Sequence, residues 1–304
     1  MNEQRIANSI IVADIGSTFT HASLLERING VYRLVASAEA TSTLSDSESD
    51  VTIGLRRALR KIEGIAQRNI LGQDDEVIEP ETDIGAGVDA FVVTSNAAPP
   101  MRCVIIGLGD DISVASARRA CAAANVFVAE VISLGTRLRR WDTESFAYLQ
   151  KTPPQVVLLV GGLDTGAVAP LENAAEVLVT LYRDIDQEER PIIIFAGNQE
   201  ARRPIADILS PLFDLRVVEN VRPSMSIESS SELQREFGNV YEEACLSSLP
   251  GYRRLRRWCT APLMATTQGL SNTWRFMARR NNLPQGVLGV DVGGATTYIG
   301  AAKE

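Results

Sequence analysis

The 304-residue chain has one histidine, His21, and four cysteines, Cys103, Cys121, Cys245 and Cys259, that are scattered without a C-x-x-C pair. With no second histidine and no close thiols, a zinc site and a Cys/His nucleophile pair are both poor readings, and four reduced, buried thiols in the cytosol are expected. Long apolar runs are missing too. The N-terminal run Ile10 to Ala13 stops at Asp14, too short for a secretory h-region, and no uncharged stretch approaches the ~20 residues that a membrane span needs. The chain therefore reads as cytoplasmic, with no membrane partner. Its net charge of -8 supplies no general cationic field, so any phosphate ligand must be gripped locally. Three phosphate or cofactor signatures are absent: the P-loop G-x-x-x-x-G-K-[ST], the dinucleotide G-x-G-x-x-G and the cobalamin-ligating D-x-H-x-x-G.

What is present is an ordinary globular balance, 45% hydrophobic and 22% charged, at a length that suggests two domains. Ser9 to Ala13 is a branched apolar strand. A polar turn, Asp14 to Thr20, leads to a second strand at Ala22 to Leu25, and the Asn29-Gly30 hairpin signal to a third over Val31 to Ala36. Val51 to Ile70 has one apolar helical face. From Ala90 the rhythm changes to strands alternating with helices: strands at 90–93, 103–106, 126–132, 156–160, 191–196 and 215–218, and helices at 113–124, 143–150, 170–182 and 199–209. Such alternation predicts a doubly wound, mostly parallel sheet over about 90–220. Helices follow over 230–247 and 253–280, the latter interrupted by Pro262 and Gly269, before a last strand pair. The expected domains are 1–89, 90–220 and 221–304.

The two ends of the chain resemble each other. Asp14-Ile-Gly-Ser-Thr-Phe-Thr20 and Asp291-Val-Gly-Gly-Ala-Thr-Thr297 lie 277 residues apart, and each follows an apolar strand and returns into another. Either turn alone is explained as a glycine turn with local aspartate hydrogen bonds. Two copies are better explained as phosphate grips: glycine lets the backbone approach an anion, Ser and Thr donate hydroxyls, and a strand-end carboxylate holds magnesium through water. An aspartate beside a polyphosphate would repel it without such a cation.

These hairpins resemble the phosphate-1 and phosphate-2 motifs of the actin, hexokinase and heat-shock-chaperone ATPase superfamily. Adding Val160-Gly-Gly-Leu-Asp-Thr-Gly166, Phe195-Ala-Gly-Asn198 and Glu219-Asn-Val-Arg-Pro223 gives an ordered set of five similar to the glutamate mutase accessory family, called MutL or GlmL and distinct from the mismatch-repair protein of that name. The resemblance covers essentially all of the chain. It implies an α/β, ribonuclease-H-like actin-type ATPase fold with an inserted doubly wound α/β domain. It further implies an accessory or reactivating chaperone for an adenosylcobalamin-dependent mutase, using ATP and Mg2+. Asp14 and Asp291 match the magnesium-water and attacking-water positions; Gly16, Ser17, Thr18 and Thr20 match the first phosphate loop, and Gly293, Gly294, Thr296 and Thr297 the second. Positioning and charge neutralisation would carry the catalysis. His21 stands where members often have lysine, and Tyr298 where they often have aspartate. The superfamily's adenosine loop follows the second hairpin, so the end of the chain seven residues after Thr297 implies a fragment, or a reduced relative, of a larger ATPase that is expected to bind ATP weakly or not at all.

Gly251 to Arg280 holds seven arginines, two tryptophans and no acidic residue, in a chain with 27 arginines and three lysines. Solvated faces or internal ion pairs are the expected reading, ahead of a protein-partner surface and of nucleic acid. Gly161-Gly162 follows a buried strand, where a tight turn competes with a ligand-binding switch point. Two other functions stay open: a catalytically silent scaffold of the same fold, and a small-molecule kinase, although no sugar-binding signature is found. A homo-oligomer is also open.

Overall fold

The computed structural model describes residues 6–43, 49–134, 148–149 and 151–302. The chain divides into two units, residues 1–99 with 241–304, and residues 100–240.

The first unit opens as the expected meander. Strands β1 (Ser9–Ile15), β2 (Phe19–Ile28) and β3 (Val31–Thr41) pair antiparallel, and β4 (Ala90–Ser95) adds parallel to β1 in the order β3-β2-β1-β4. The strand–helix rhythm suggests a place for β4 in the middle sheet. Its burial alternates, with Phe91, Val93 and Ser95 inside, which suits a sheet packed on one face rather than on both. Helix α1 (Val51–Ala66) covers that face with Leu55, Ala58, Leu59 and Ile62. It starts where Asp50 Oδ1 accepts from the Thr52 N–H at 2.7 Å. The periodicity runs on to Ile70, but the helix stops at Ala66. Gln67 adopts a left-handed φ of 52°, and the Glu63 carboxylate takes the N–H groups of Ile70 and Leu71.

The second unit carries a five-stranded, all-parallel sheet: β5 (Met101–Gly107), β6 (Val126–Ser133), β7 (Val156–Val160), β8 (Ile192–Phe195) and β9 (Leu215–Val217), in the order β6-β5-β7-β8-β9. Helix α2 (Ala115–Ala122) brings Cys121 against Cys103 of β5. Helices α3 (Ala169–Tyr182) and α4 (Arg202–Leu209) share a core with Val104, Val157, Leu159, Ile193 and Phe195. Alternate residues of β5 thus face α2 and this core, so both faces of the sheet are covered. The chain is an α/β protein. The helix expected over 143–150 lies largely outside the described residues.

Helix α5 (Ser231–Ala244) spans the join between the units, and α6 (Tyr252–Trp258) and α7 (Thr266–Arg280) follow. Pro262 falls in the break between α6 and α7, as expected. Gly269 does not interrupt α7; a Cβ there would come within 3.1 Å of the Thr94 methyl, so the glycine admits close packing. Strands β10 (Val287–Val292) and β11 (Thr297–Ala302) close the chain as a separate two-stranded antiparallel sheet. Among the described residues no helix is long and apolar enough to cross a membrane.

Candidate functional site

The two hairpins have the same local geometry. In the first, the Gly16 N–H donates to the Phe19 carbonyl at 3.0 Å; in the second, the Gly293 N–H donates to the Thr296 carbonyl at 2.9 Å. Asp14 lies opposite His21 across β1 and β2, and Asp291 lies opposite Tyr298 across β10 and β11. Each of these positions recurs at the spacing that separates the sequence motifs. Both hairpins belong to the first unit, and their tips meet: a Cβ on Gly294 would collide with the side chain of Thr18.

The predicted site residues divide by environment. Ser17, Thr18, Gly293, Gly294, Thr296 and Thr297 are exposed, while Gly16, Asp14 and Asp291 are half-buried. Thr20 is fully buried and shares a 2.9 Å hydrogen bond with the Ser42 hydroxyl, so its side chain does not join the exposed tip. Ser42 itself braces the first turn, donating its hydroxyl to the Gly16 carbonyl at 2.7 Å and its N–H to the Thr18 carbonyl at 2.9 Å. Its place in a Ser/Asp/Glu loop gives no hint of this.

The aspartates differ in their partners. Asp14 Oδ1 accepts the Thr94 hydroxyl at 2.7 Å and the Thr266 hydroxyl at 2.6 Å. Among the described residues no donor meets Asp291. Helix α7 nevertheless links the two hairpins. Its first residue, Thr266, holds Asp14, and two turns on, about 12 Å along the axis, the Trp274 ring fills the space where Gly289 and Gly300 lack side chains. Gly289 and Gly300 are cross-strand partners, so the indole lies against a patch with no side chains. Tyr298 stacks on Trp274 at 5.4 Å and 8° and shares a 3.1 Å hydrogen bond with Ser271, so its ring is held by α7. Strand alternation puts Asp291 on that same face. His21 Nδ1 lies 3.5 Å from Glu39 on the neighbouring strand.

This donor set suits magnesium carried on phosphate. It offers hard oxygen ligands from carboxylate and from the hydroxyls of the exposed tips. Among the described residues no cluster of three or more His, Cys, Asp and Glu side chains is present to chelate a metal. A metal at these hairpins would accordingly be held through water and phosphate oxygens.

The three middle motifs form a hydrogen-bonded latch at the carboxyl ends of β7, β8 and β9. The Asn198 N–H donates to the Gly161 carbonyl and its side-chain amide to the Gly166 carbonyl, both at 2.9 Å. The Asn220 amide reaches the Gly162 carbonyl at 3.0 Å and Asp164 at 2.9 Å, and the Asp164 N–H reaches the Pro223 carbonyl at 3.1 Å. Gly161, at φ 134°, lies so close to Leu108 that a Cβ would strike its backbone. The double glycine is thus a tight turn whose two carbonyls accept from Asn198 and Asn220. In the arginine-rich stretch, Arg254 pairs with Glu76 at 3.1 Å and Arg256 with Glu242 at 3.4 Å. Trp258 and Trp274 are both buried, and neither presents a ring for base stacking.

Comparison with known proteins bears on this arrangement. A search of solved structures finds the Aquifex aeolicus PPX-GPPA enzyme at 10% identity, covering 62% of this chain and 68% of that one, with a TM-score of 0.16, too low a likeness to support an argument. Protein MutL of Clostridium tetanomorphum is 23% identical over 300 residues, covering 96% of this chain but 57% of its own length. The chain thus spans little more than half of that relative. The MutL protein family matches residues 10–304. That match takes in both hairpins and the whole latch between them, and the chain belongs to the MutL family.

Proposed function

We propose that the protein is an accessory protein of an adenosylcobalamin-dependent mutase of the glutamate mutase type, and that its paired hairpins grip the phosphates of Mg2+-ATP. The observation that carries this reading is the meeting of the two tips at Thr18 and Gly294, which brings the exposed hydroxyl residues Ser17, Thr18, Thr296 and Thr297 to one place. Ser17 and Thr18 bind from one side, and Gly294, Thr296 and Thr297 from the other, while Gly16 and Gly293, whose N–H groups close the two turns, shape the loops. Asp14, held by two hydroxyls, orients a metal-bound water. Asp291, free of protein donors among the described residues, is available to orient a second water. Bound Mg2+ supplies neutralisation of the phosphate charge. Closing and opening of the hairpins around the nucleotide would then loosen the client mutase for cofactor exchange.

The test is calorimetric titration of the chain with Mg2+-ATP, followed by Asp14→Ala and Asp291→Ala. Binding that weakens at least tenfold in each variant, with association of a glutamate-mutase-type enzyme in the presence of nucleotide, is the expected result. Binding unaffected by both substitutions would remove the hairpins from the site. Failure to associate with the mutase at any nucleotide concentration would remove the accessory role.

A further inference from the structure

We propose that Thr94 and Thr266 are positioning residues that make Asp14 a one-sided ligand for the metal water, with Oδ1 saturated and Oδ2 reserved; the assignment rests on the reading of the hairpins as a metal-phosphate site. Two separate pieces of chain, 80 and 252 residues away, converge on one oxygen atom. Thr94 is the direct lateral neighbour of Asp14 in the parallel pairing of β1 and β4. Thr266 arrives because residue 264 pairs parallel with Thr94 as an isolated bridge, the Ser95 N–H donating to the Met264 carbonyl at 2.9 Å. The Thr266 N–H is fixed in turn by Asn96 Oδ1 at 3.1 Å. No protein donor meets Oδ2 among the described residues.

The choice of donor matters. An arginine or lysine would orient the carboxylate but also neutralise it, leaving little field for a metal water. Two hydroxyls orient it and leave its full charge in place. Partners of this kind fix the direction of a ligand group and tune metal affinity. Thr266 is also the first residue of α7, whose Trp274 supports the second hairpin. The carboxylate of one hairpin and the floor of the other therefore share one rigid element.

The experiment uses the 304-residue chain and Mn2+-tripolyphosphate, which presents metal and phosphates without a base, read by water-proton relaxation, with thermal melts of the ligand-free proteins alongside. The pair Thr94→Val and Thr266→Val is expected to weaken binding at least fivefold, and the pair Thr94→Ser and Thr266→Ser, which keeps both hydroxyls, to stay within twofold of the parent. Valine variants that bind within twofold of the parent overturn the proposal. So do serine variants as weak as the valine pair, because the loss would then belong to packing. If the valine pair melts too early to titrate, Thr266→Val alone is judged by the same limits. A parent chain that binds no Mn2+-tripolyphosphate at millimolar concentration overturns the metal-phosphate reading itself, before any variant is made, and the positioning role falls with it.

Discussion

Thr18 occupies the space that a side chain on Gly294 would need, so the tips of two hairpins from opposite ends of the chain are in contact. Gly294 has no left-handed φ, and an alanine there is strained only by its neighbour. Gly294→Ala is expected to cost about 1 kcal/mol, at the low end for overpacking because both tips are exposed. In a Thr18→Gly background the same substitution should cost almost nothing. A double-mutant cycle from urea unfolding measures the coupling; equal costs in both backgrounds would mean that the tips are apart in solution.

Trp274 is the fixed wall of the second hairpin. Gly289 and Gly300 face its ring so closely that a methyl group at either has no room. Unlike the tips, a buried indole stacked on Tyr298 cannot swing aside. Gly289→Ala and Gly300→Ala are each expected to destabilise by about 2 to 3 kcal/mol, the upper range for overpacking. The strained stack of Trp274 on Tyr298 should also change the near-ultraviolet circular dichroism. A neutral Gly300→Ala with an unchanged spectrum would contradict this packing.

The hairpins were legible in the sequence because their chemistry is local: aspartate, glycine and hydroxyl residues within seven positions, flanked by strands. Thr94 and Thr266 were not, since their role exists only after β4 joins β1 and the segment before α7 lines up beside β4. The same is true of Trp274. Glycine in a strand pattern signals a close approach, and Gly289 and Gly300 carry that signal, but it cannot name the ring that approaches. For the latch, the sequence suggested a choice between a ligand switch point and a tight turn. The decision came from Asn198 and Asn220, whose amides close the loops onto one another. Thr20 shows the opposite failure: period two turns it away from the face of Asp14, and the motif resemblance hides this.

The cysteines offer a chemical check on both cores. None of the four forms a disulfide, and all are buried. Burial pushes the Cys259 thiol up to about 12 against the lowering effect of Arg256, and burial together with the hydrogen bond to Cys121 raises Cys103 well above its ordinary value. A thiol reacts as its thiolate. A disulfide reagent at pH 8 is therefore expected to find no rapidly reacting thiol in the native chain and four after denaturation. Rapid labelling of any one would place that cysteine at the surface.

Glu228 anchors the end of the loop after β9 to α2 and gives the second unit a pH-dependent contact. Its carboxylate takes Arg119, Ser116 at 3.1 Å and Arg222 at 3.1 Å. The Arg119 hydrogen bond holds its pKa below the ordinary glutamate value of 4.5, against partial burial, with smaller help from Ser116 and Arg222. A carboxyl group with a lower pKa in the folded state binds fewer protons there than when unfolded. Its contribution is complete above about pH 4.5 and is lost as the pH falls through the folded value. Glu228→Gln should therefore cost about 0.5 to 1 kcal/mol at pH 7, the size of a partly exposed pair. The difference from the parent should shrink as the pH is lowered to about 3. Urea denaturation at both pH values measures it, and a difference that stayed constant or widened in acid would show that the carboxylate is not the stabilising form.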